Sequence, residues 1–423
     1  MFRRNQVIWL PCVMLALAAS GAAADPAPTT LKQAFEAAWQ RQPETLSQQM
    51  RQEAAAAQQQ AATRWTAEPV ALELSTKTDR LNQNLGRDET VAGISIPLWL
   101  PGERTRTGAV ADAQARAANS RVRAAQLRTA AHVREAYWAW QRARIDHVLA
   151  GELFGHAQQL AKDVGKRVQA GDLARADQHQ ADGAMASAEV ALAEATGALA
   201  TTAQRLRALS GQVPKVPAVG PGGGRFVGAI GAEPMPVLPA DSATLMATHP
   251  AVAELQDSAD VAQRSAELAQ VQTRANPELT LATSRDRGQS DEAYQHSITL
   301  GIRIPLGSSS SNQAKRASAQ ADAMEAQAQV RLESERLQGE VEAARVGLVS
   351  AQTQLAAAQR RALLARESRV FFQKSFQLGE TDLPTRLRME REAMDAERQA
   401  ARAGIDLAAA QSALRQTLGL LPE

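Results

Sequence analysis

The sequence is poor in what enzymes and nucleic-acid binders use. Its one cysteine, Cys12, lies in an apolar run near the N-terminus, so the rest of the chain has no thiol for a disulfide or a zinc set. The six histidines, His132, His147, His156, His179, His249 and His296, show no ligand spacing, and the methionines are scattered. No metal and no other cofactor is expected. Gly220 to Gly224 holds the chain's densest glycine cluster, but no Gly-Lys-Ser/Thr follows to cradle a phosphate. Ser308 to Ser311 lacks the glycines of a nucleophile elbow and reads as a helix cap. With no nucleophile, base and orienting group to name, the chain is not expected to be an enzyme.

Net charge is missing too. Arg3 and Arg4, the apolar run Val7 to Ala19 and Ala22-Ala23-Ala24 before Asp25 read as a secretory signal peptide, residues 1–24, cut after Ala24. The run is shorter than the ~20 residues of a membrane anchor. Of 47 basic and 45 acidic residues the signal takes two arginines, leaving 45 of each, which supplies no basic field for nucleic acid. Aromatic residues are only 4%. Long stretches of Ala, Gln, Glu, Arg and Leu replace them, the composition of long helices packed side by side.

What is present is written twice. Gly93-Ile94-Ser95-Ile96-Pro97-Leu98 returns as Gly301-Ile302-Arg303-Ile304-Pro305-Leu306, 208 residues on, and the same interval links Pro69 to Pro277, Gly171 to Gly379 and Gly211 to Gly419. The chain therefore divides into a first repeat over 25–212, a Pro/Gly-rich linker over 213–240 and a second repeat over 241–423.

Each repeat holds a hairpin with one apolar face. Val70, Leu72 and Leu74 alternate with polar residues, as do Ile94, Ile96 and Leu98, which predicts strands over about 69–78 and 90–98. Leu279, Leu281 and then Ile298, Leu300, Ile302, Ile304 and Leu306 predict strands over about 277–285 and 295–306. Such a sheet can lie on helices in a soluble protein or cross a bilayer, and Trp65 and Trp99 flank the first hairpin where an interfacial girdle would lie. Four strands cannot close a membrane barrel, so crossing strands would need several chains. After each returning strand comes a stretch without proline, Glu103 to Gln169 and Asn312 to Gln377, long enough for roughly 100 Å of helix. Gly171 and Gly379 then mark reversals, followed by shorter helices.

This order resembles the TolC-like outer membrane efflux proteins of Gram-negative bacteria. The likeness rests on helix, hairpin, long helix, reversal and helix repeated twice, on Ile96-Pro97-Leu98 and Ile304-Pro305-Leu306, on Ala136-Tyr137, and on Leu206 to Gly211 and Leu414 to Gly419 closing the repeats. It implies a mainly α chain with a membrane β-barrel: a homotrimer whose three chains share a 12-stranded barrel, continued by an α-helical coiled-coil tunnel through the periplasm. It implies a passive exit duct in the outer membrane lipid, working with a periplasmic adaptor protein and an inner-membrane pump. Phe226 in the linker would anchor the equatorial region. Trp99 to Arg104 is similar to members paired with heavy-metal cation pumps, and drugs are the other cargo class. The reading from another class is a soluble periplasmic coiled-coil adaptor or structural protein.

The resemblance also assigns the tip. Gly171, Leu173, Gly379 and Leu383 would dock the adaptor, and Asp172, Asp177, Glu380 and Asp382 would ring a periplasmic gate. Thr385 stands where the second repeat would match Asp177, so its acid has shifted to Glu380 or Asp382. These first-turn acids have a second role open to them, favouring the helix N-terminus, and one carboxylate can do both. Crowded around an axis, they are expected to raise one another's pKa. Arg303, between Ile302 and Ile304, is expected on the barrel interior.

Overall fold

A computed structural model describes residues 30–81, 84–214, 231–238, 241–306 and 310–423. The expected signal peptide with Cys12, most of the linker with Phe226, and Ser308 lie outside the described residues.

The first repeat runs α1 (Leu31–Gln40), α2 (Pro43–Thr63), β1 (Ala71–Thr78), β2 (Asp88–Pro97), α3 (Glu103–Ala170) and α4 (Arg175–Ser210). The second runs α5 (Ser242–Thr248), α6 (Pro250–Val271), β3 (Glu278–Arg287), β4 (Gln295–Arg303), α7 (Ser310–Gln377) and α8 (Leu383–Thr417). Local chemistry sets the breaks. Thr30 caps α1 in a reciprocal box with Gln33, at 3.2 and 3.3 Å. Pro43 and Pro250 open α2 and α6 at the first helical position, where the missing N–H costs nothing. The two long helices, α3 and α7, have 68 residues each, about 102 Å of rise.

Alpha3 packs against α4, α6 and α2, and α7 against α8 and α6, so short helices lie end to end along the long ones. Alanine lines much of the seam, with Ala34, Ala38, Ala113, Ala130, Ala393 and Ala396 fully buried, and these small side chains let the backbones approach closely. The aromatic residues concentrate midway, where Tyr137, Trp138 and Trp140 of α3 meet Leu31 and Phe35 of α1 and Ile405 of α8. Tyr137 meets Trp138 edge-on with ring centres 5.2 Å apart, and Gln141 donates to its hydroxyl at 2.8 Å. Among the described residues, no helix is long and apolar enough to cross a membrane.

The four strands form one antiparallel sheet in the order β1-β2-β3-β4, so each repeat's hairpin pairs with the other through β2 and β3. Observed strands differ from the sequence expectation at their ends: β1 and β4 are shorter, and β2 and β3 each extend two residues further toward the turns. Pro305 ends the apolar alternation of the last stretch, and Ile304 to Leu306 leave the ladder.

Candidate functional site

Four places in this frame carry function-bearing chemistry: the sheet, the junction that holds it to the helices, an ion cluster between α3 and α8, and the tip, about 100 Å of helix rise from the sheet.

On the sheet, register sorts side chains by face. Ile96, Leu279 and Ile302 form one row across the strands, Leu72, Ile94, Leu281 and Leu300 the next, and Leu74, Ala92, Thr283 and Ile298 a third. The opposite face carries Glu73 with Gly93, Ala282 and Thr299, and Glu278 beside Arg303. Soluble sheets bury the apolar face. Here Ile94, Leu281, Ile298 and Leu300 are exposed, whereas Gly93 and Ser95 on the other face are buried. Beta1 and β4 each leave one edge unpaired within the chain. Arg303 thus lies on the polar face, opposite Glu278, as its alternation with Ile302 and Ile304 predicts.

The junction between strands and helices turns on Glu103, which sequence reading left as part of a turn motif. Gly102 takes a left-handed φ of 78°, and the carboxylate of buried Glu103 then accepts from the Leu100 N–H at 3.0 Å, Gln272 at 2.8 Å and Asn276 at 2.8 Å. It ties the first repeat's entry into α3 to the second repeat's exit from α6. Trp99 donates from its ring to the Arg64 carbonyl at 3.2 Å, while Trp65 stands exposed beside it.

The node between α3 and α8 is ionic. Segment 231–238 sends Glu233 between α3 and α8, where Arg134 grips it in a fork at 2.7 and 3.1 Å and Arg415 approaches to 3.2 Å. Ser412 also donates to it, and Arg134 reaches the Leu420 carbonyl at 3.0 Å. Spacing could not have found this cluster, whose members stand 99 and 182 residues apart.

At the tip the two reversals share one geometry. Gly171 and Gly379 adopt φ of 89° and 77°, and the next residue's N–H bonds back five positions, Asp172 to Arg167 and Glu380 to Ser375, both at 2.9 Å. Side chains other than glycine rarely take that conformation. The following helices are capped differently. Asp177 reaches back from the third position of α4 to the Ala174 N–H at 3.1 Å, whereas Asp382 is itself the N-cap of α8 and accepts from the Thr385 N–H at 3.2 Å. Three residues along the chain separate these two acids from register, which is why Thr385 occupies the place matching Asp177. Hydrogen bonds from the Thr385 side chain and then from its N–H hold the Asp382 carboxyl below the usual carboxylate range within the single chain. Glu380 accepts from Ser375 at 3.5 Å, and Asp172 is exposed.

Leucines at the tip depart from the sequence expectation. Leu383 is 1% exposed and Leu173 half-buried, both packed with Val164 and Phe376 in an apolar cluster. Leu383 has no surface to offer a partner. Leu378, on the other side of Gly379, is 75% exposed.

Above the tip, α3, α4, α7 and α8 enclose a cleft of about 760 Å³. Phe376 on its wall is stacked by Arg386 at 4.8 Å and Arg167 at 5.2 Å. His156 and Arg369 both reach Glu390, at 3.4 and 3.5 Å. The hydrogen bond to Glu390 raises the pKa of His156. Burial alone would push Glu390 up, but His156 and the positive charges of Arg369 and Arg386 together hold it low. Burial lowers the pKa of Arg386.

Comparison with known proteins agrees with this anatomy. Residues 34–212 match the family model for outer membrane efflux proteins. A search of curated proteins returned no match. Among solved structures, CusC shares 18% identity with a TM-score of 0.76 over 92% of each chain. The CmeC outer membrane channel of Campylobacter jejuni shares 14%, with a TM-score of 0.72 over 92% of this chain and 85% of its own. VceC, an outer membrane protein of Vibrio cholerae, shares 18%, with a TM-score of 0.70 over 92% of this chain and 96% of its own. The resemblance carried by the sequence motifs holds: residues 34–212 match the outer membrane efflux protein family, and the chain as a whole is TolC-like in fold.

Proposed function

We propose that this chain forms a passive exit duct in the outer membrane of a Gram-negative bacterium, as a homotrimer that extends into the periplasm. The observation that carries it is the sheet. Its apolar rows are largely exposed, its two edge strands are unpaired within the chain, and it stands on helices of about 102 Å. Three copies closing edge to edge give twelve strands, above the minimum of about eight for a membrane barrel. Residues 1–24 direct export, 25–212 and 241–423 are the two wall-forming repeats, and 213–240 links them at the equator. Energy comes from an inner-membrane transporter, coupled through a periplasmic adaptor that meets the reversals at Gly171 and Gly379. The cargo is a heavy-metal cation, as the likeness of Trp99 to Arg104 suggests, or a drug.

Membrane extraction and native mass test the architecture. Washed membranes treated with carbonate should retain the protein, and the detergent-solubilised form should weigh three chains. Release by carbonate would instead mark a soluble periplasmic coiled-coil protein. Cargo is read by deleting the gene and scoring sensitivity to metal cations against drugs.

A further inference from the structure

We propose, resting on the duct reading, that the turn end of the sheet's outward face binds the phosphate groups of the phosphorylated glycolipid in the outer leaflet. The apolar rows stop at Leu74 and Ile298. In the next outward row Arg285 lies directly opposite His296, flanked by Thr76 and Thr90, and one row further on stands Arg287. Opposed residues in an antiparallel pair place their Cβ atoms about 5 Å apart, so a guanidinium and an imidazole there can grip one phosphate.

The two faces differ in charge. At the same height, the inward row reads Lys77, Glu89, Asp286 and Gln295, with the acids inside. The outward acid of this end, Asp88, is occupied: Tyr294 donates to it at 3.3 Å and Arg80 stands 3.9 Å away. Tyr294 in turn lies under both outward arginines, with Arg285 at 3.7 Å and Arg287 at 4.8 Å from its ring centre. Stacking restricts the Arg285 side chain and leaves the edge of its guanidinium to donate. A tyrosine with its polar tip at the margin of an apolar belt is also the usual aromatic of a bilayer interface. Arg285, Arg287 and His296 outside, with the one outward acid already engaged, and Tyr294 beside them at the border of an apolar belt fit an anionic headgroup region.

The test uses the full mature chain reconstituted with bisphosphorylated lipid A, with the same glycolipid stripped of phosphate, or with zwitterionic phospholipid alone. Glycolipid that travels with the protein is counted by native mass spectrometry. The wild type should retain the phosphorylated form at least about tenfold over the stripped form, and Arg285→Gln with His296→Gln should abolish the difference. Asp286→Asn, on the inward face, should leave it intact. Equal retention of both glycolipids, or full retention by the double variant, overturns the site. Should the double variant fail to assemble, His296→Gln alone must still reduce the ratio. Carbonate extraction of the wild type separates the two levels: release sinks duct and site together, whereas a retained protein that ignores phosphate sinks the site alone.

Discussion

Glu233 binds Arg134 and Arg415 at once, joining α3 of the first repeat to α8 of the second through the segment that separates them in sequence. All three side chains are at least 95% buried. Glu233→Gln would leave two guanidinium groups facing a neutral amide. Breaking a buried ion cluster by removing one partner costs about 3–5 kcal/mol, whereas replacing the whole set by apolar residues is often tolerated. The single substitution should therefore lower the midpoint of thermal unfolding and open 231–238 to protease, and a triple apolar replacement should restore much of the loss. An unchanged midpoint in Glu233→Gln would mean that the cluster holds nothing together.

The face assignment of β4 predicts an asymmetry between neighbours. Ile302 belongs to the apolar row with Ile96 and Leu279, and Arg303 to the polar face with Glu278. Ile302→Arg should cost about 2–4 kcal/mol if its position falls at the bilayer midplane, and less near the interface. Arg303→Ala should be accepted. Heat-modifiable mobility of the assembled trimer on gels reads both; equal effects would mean that the face assignment is wrong.

Much of this was legible because periodicity survives without context. The strands announced themselves by alternation, the long helices by the lack of proline, and the reversals by Gly171 and Gly379, whose left-handed φ no other common residue takes cheaply. The duplicated interval of 208 residues placed the second repeat from the first. What stayed hidden depends on contacts between repeats. Glu103, Glu233 and the His156 and Glu390 pair act across 99 to 234 residues, and nothing local marks them. The resemblance puts Leu383 at a docking surface, but it opens a helix whose first turn packs inward on Phe376.

The His156 and Glu390 contact ties α3 to α8 and should give stability a pH dependence. The pKa of His156 is raised above its ordinary 6.5, so its contribution is complete below pH 6.5 and is lost as pH rises through the raised value. That of Glu390 is held below its ordinary 4.5, so its share is present above pH 4.5 and is lost as pH falls through the lowered value. The window of greatest benefit is thus about pH 4.5 to 6.5. Arg369 and Glu152 act on the same imidazole with opposite sign. Because His156 is half exposed, the gain is small, within about 1 kcal/mol. Unfolding midpoints of the wild type should rise slightly from pH 8 to 6 relative to His156→Gln, and parallel pH curves for the two proteins would remove the contact from the account.

The tip acids offer the sharpest separation of roles, because asparagine keeps a cap and discards a charge. Asp382 caps α8 through the Thr385 N–H, and Asp177 closes the turn before α4 through the Ala174 N–H. Asparagine caps helices about as well as aspartate. Asp177→Asn with Asp382→Asn should therefore leave helix content and trimer mass unchanged. In a planar bilayer the wild-type trimer should prefer cations, with three copies of each acid around the axis, and the double variant should lose most of that preference. Acid provides a second reading. The hydrogen bond from Thr385 keeps the Asp382 carboxyl ionised below the usual carboxylate range, so its part of the preference should survive at pH values where an ordinary carboxylate is neutral. Thr385→Val removes the side-chain donor and should shift that loss to higher pH. If cation preference persists in the double variant, these carboxylates only cap their helices, and the constriction must draw its charge from Asp172 and Glu380.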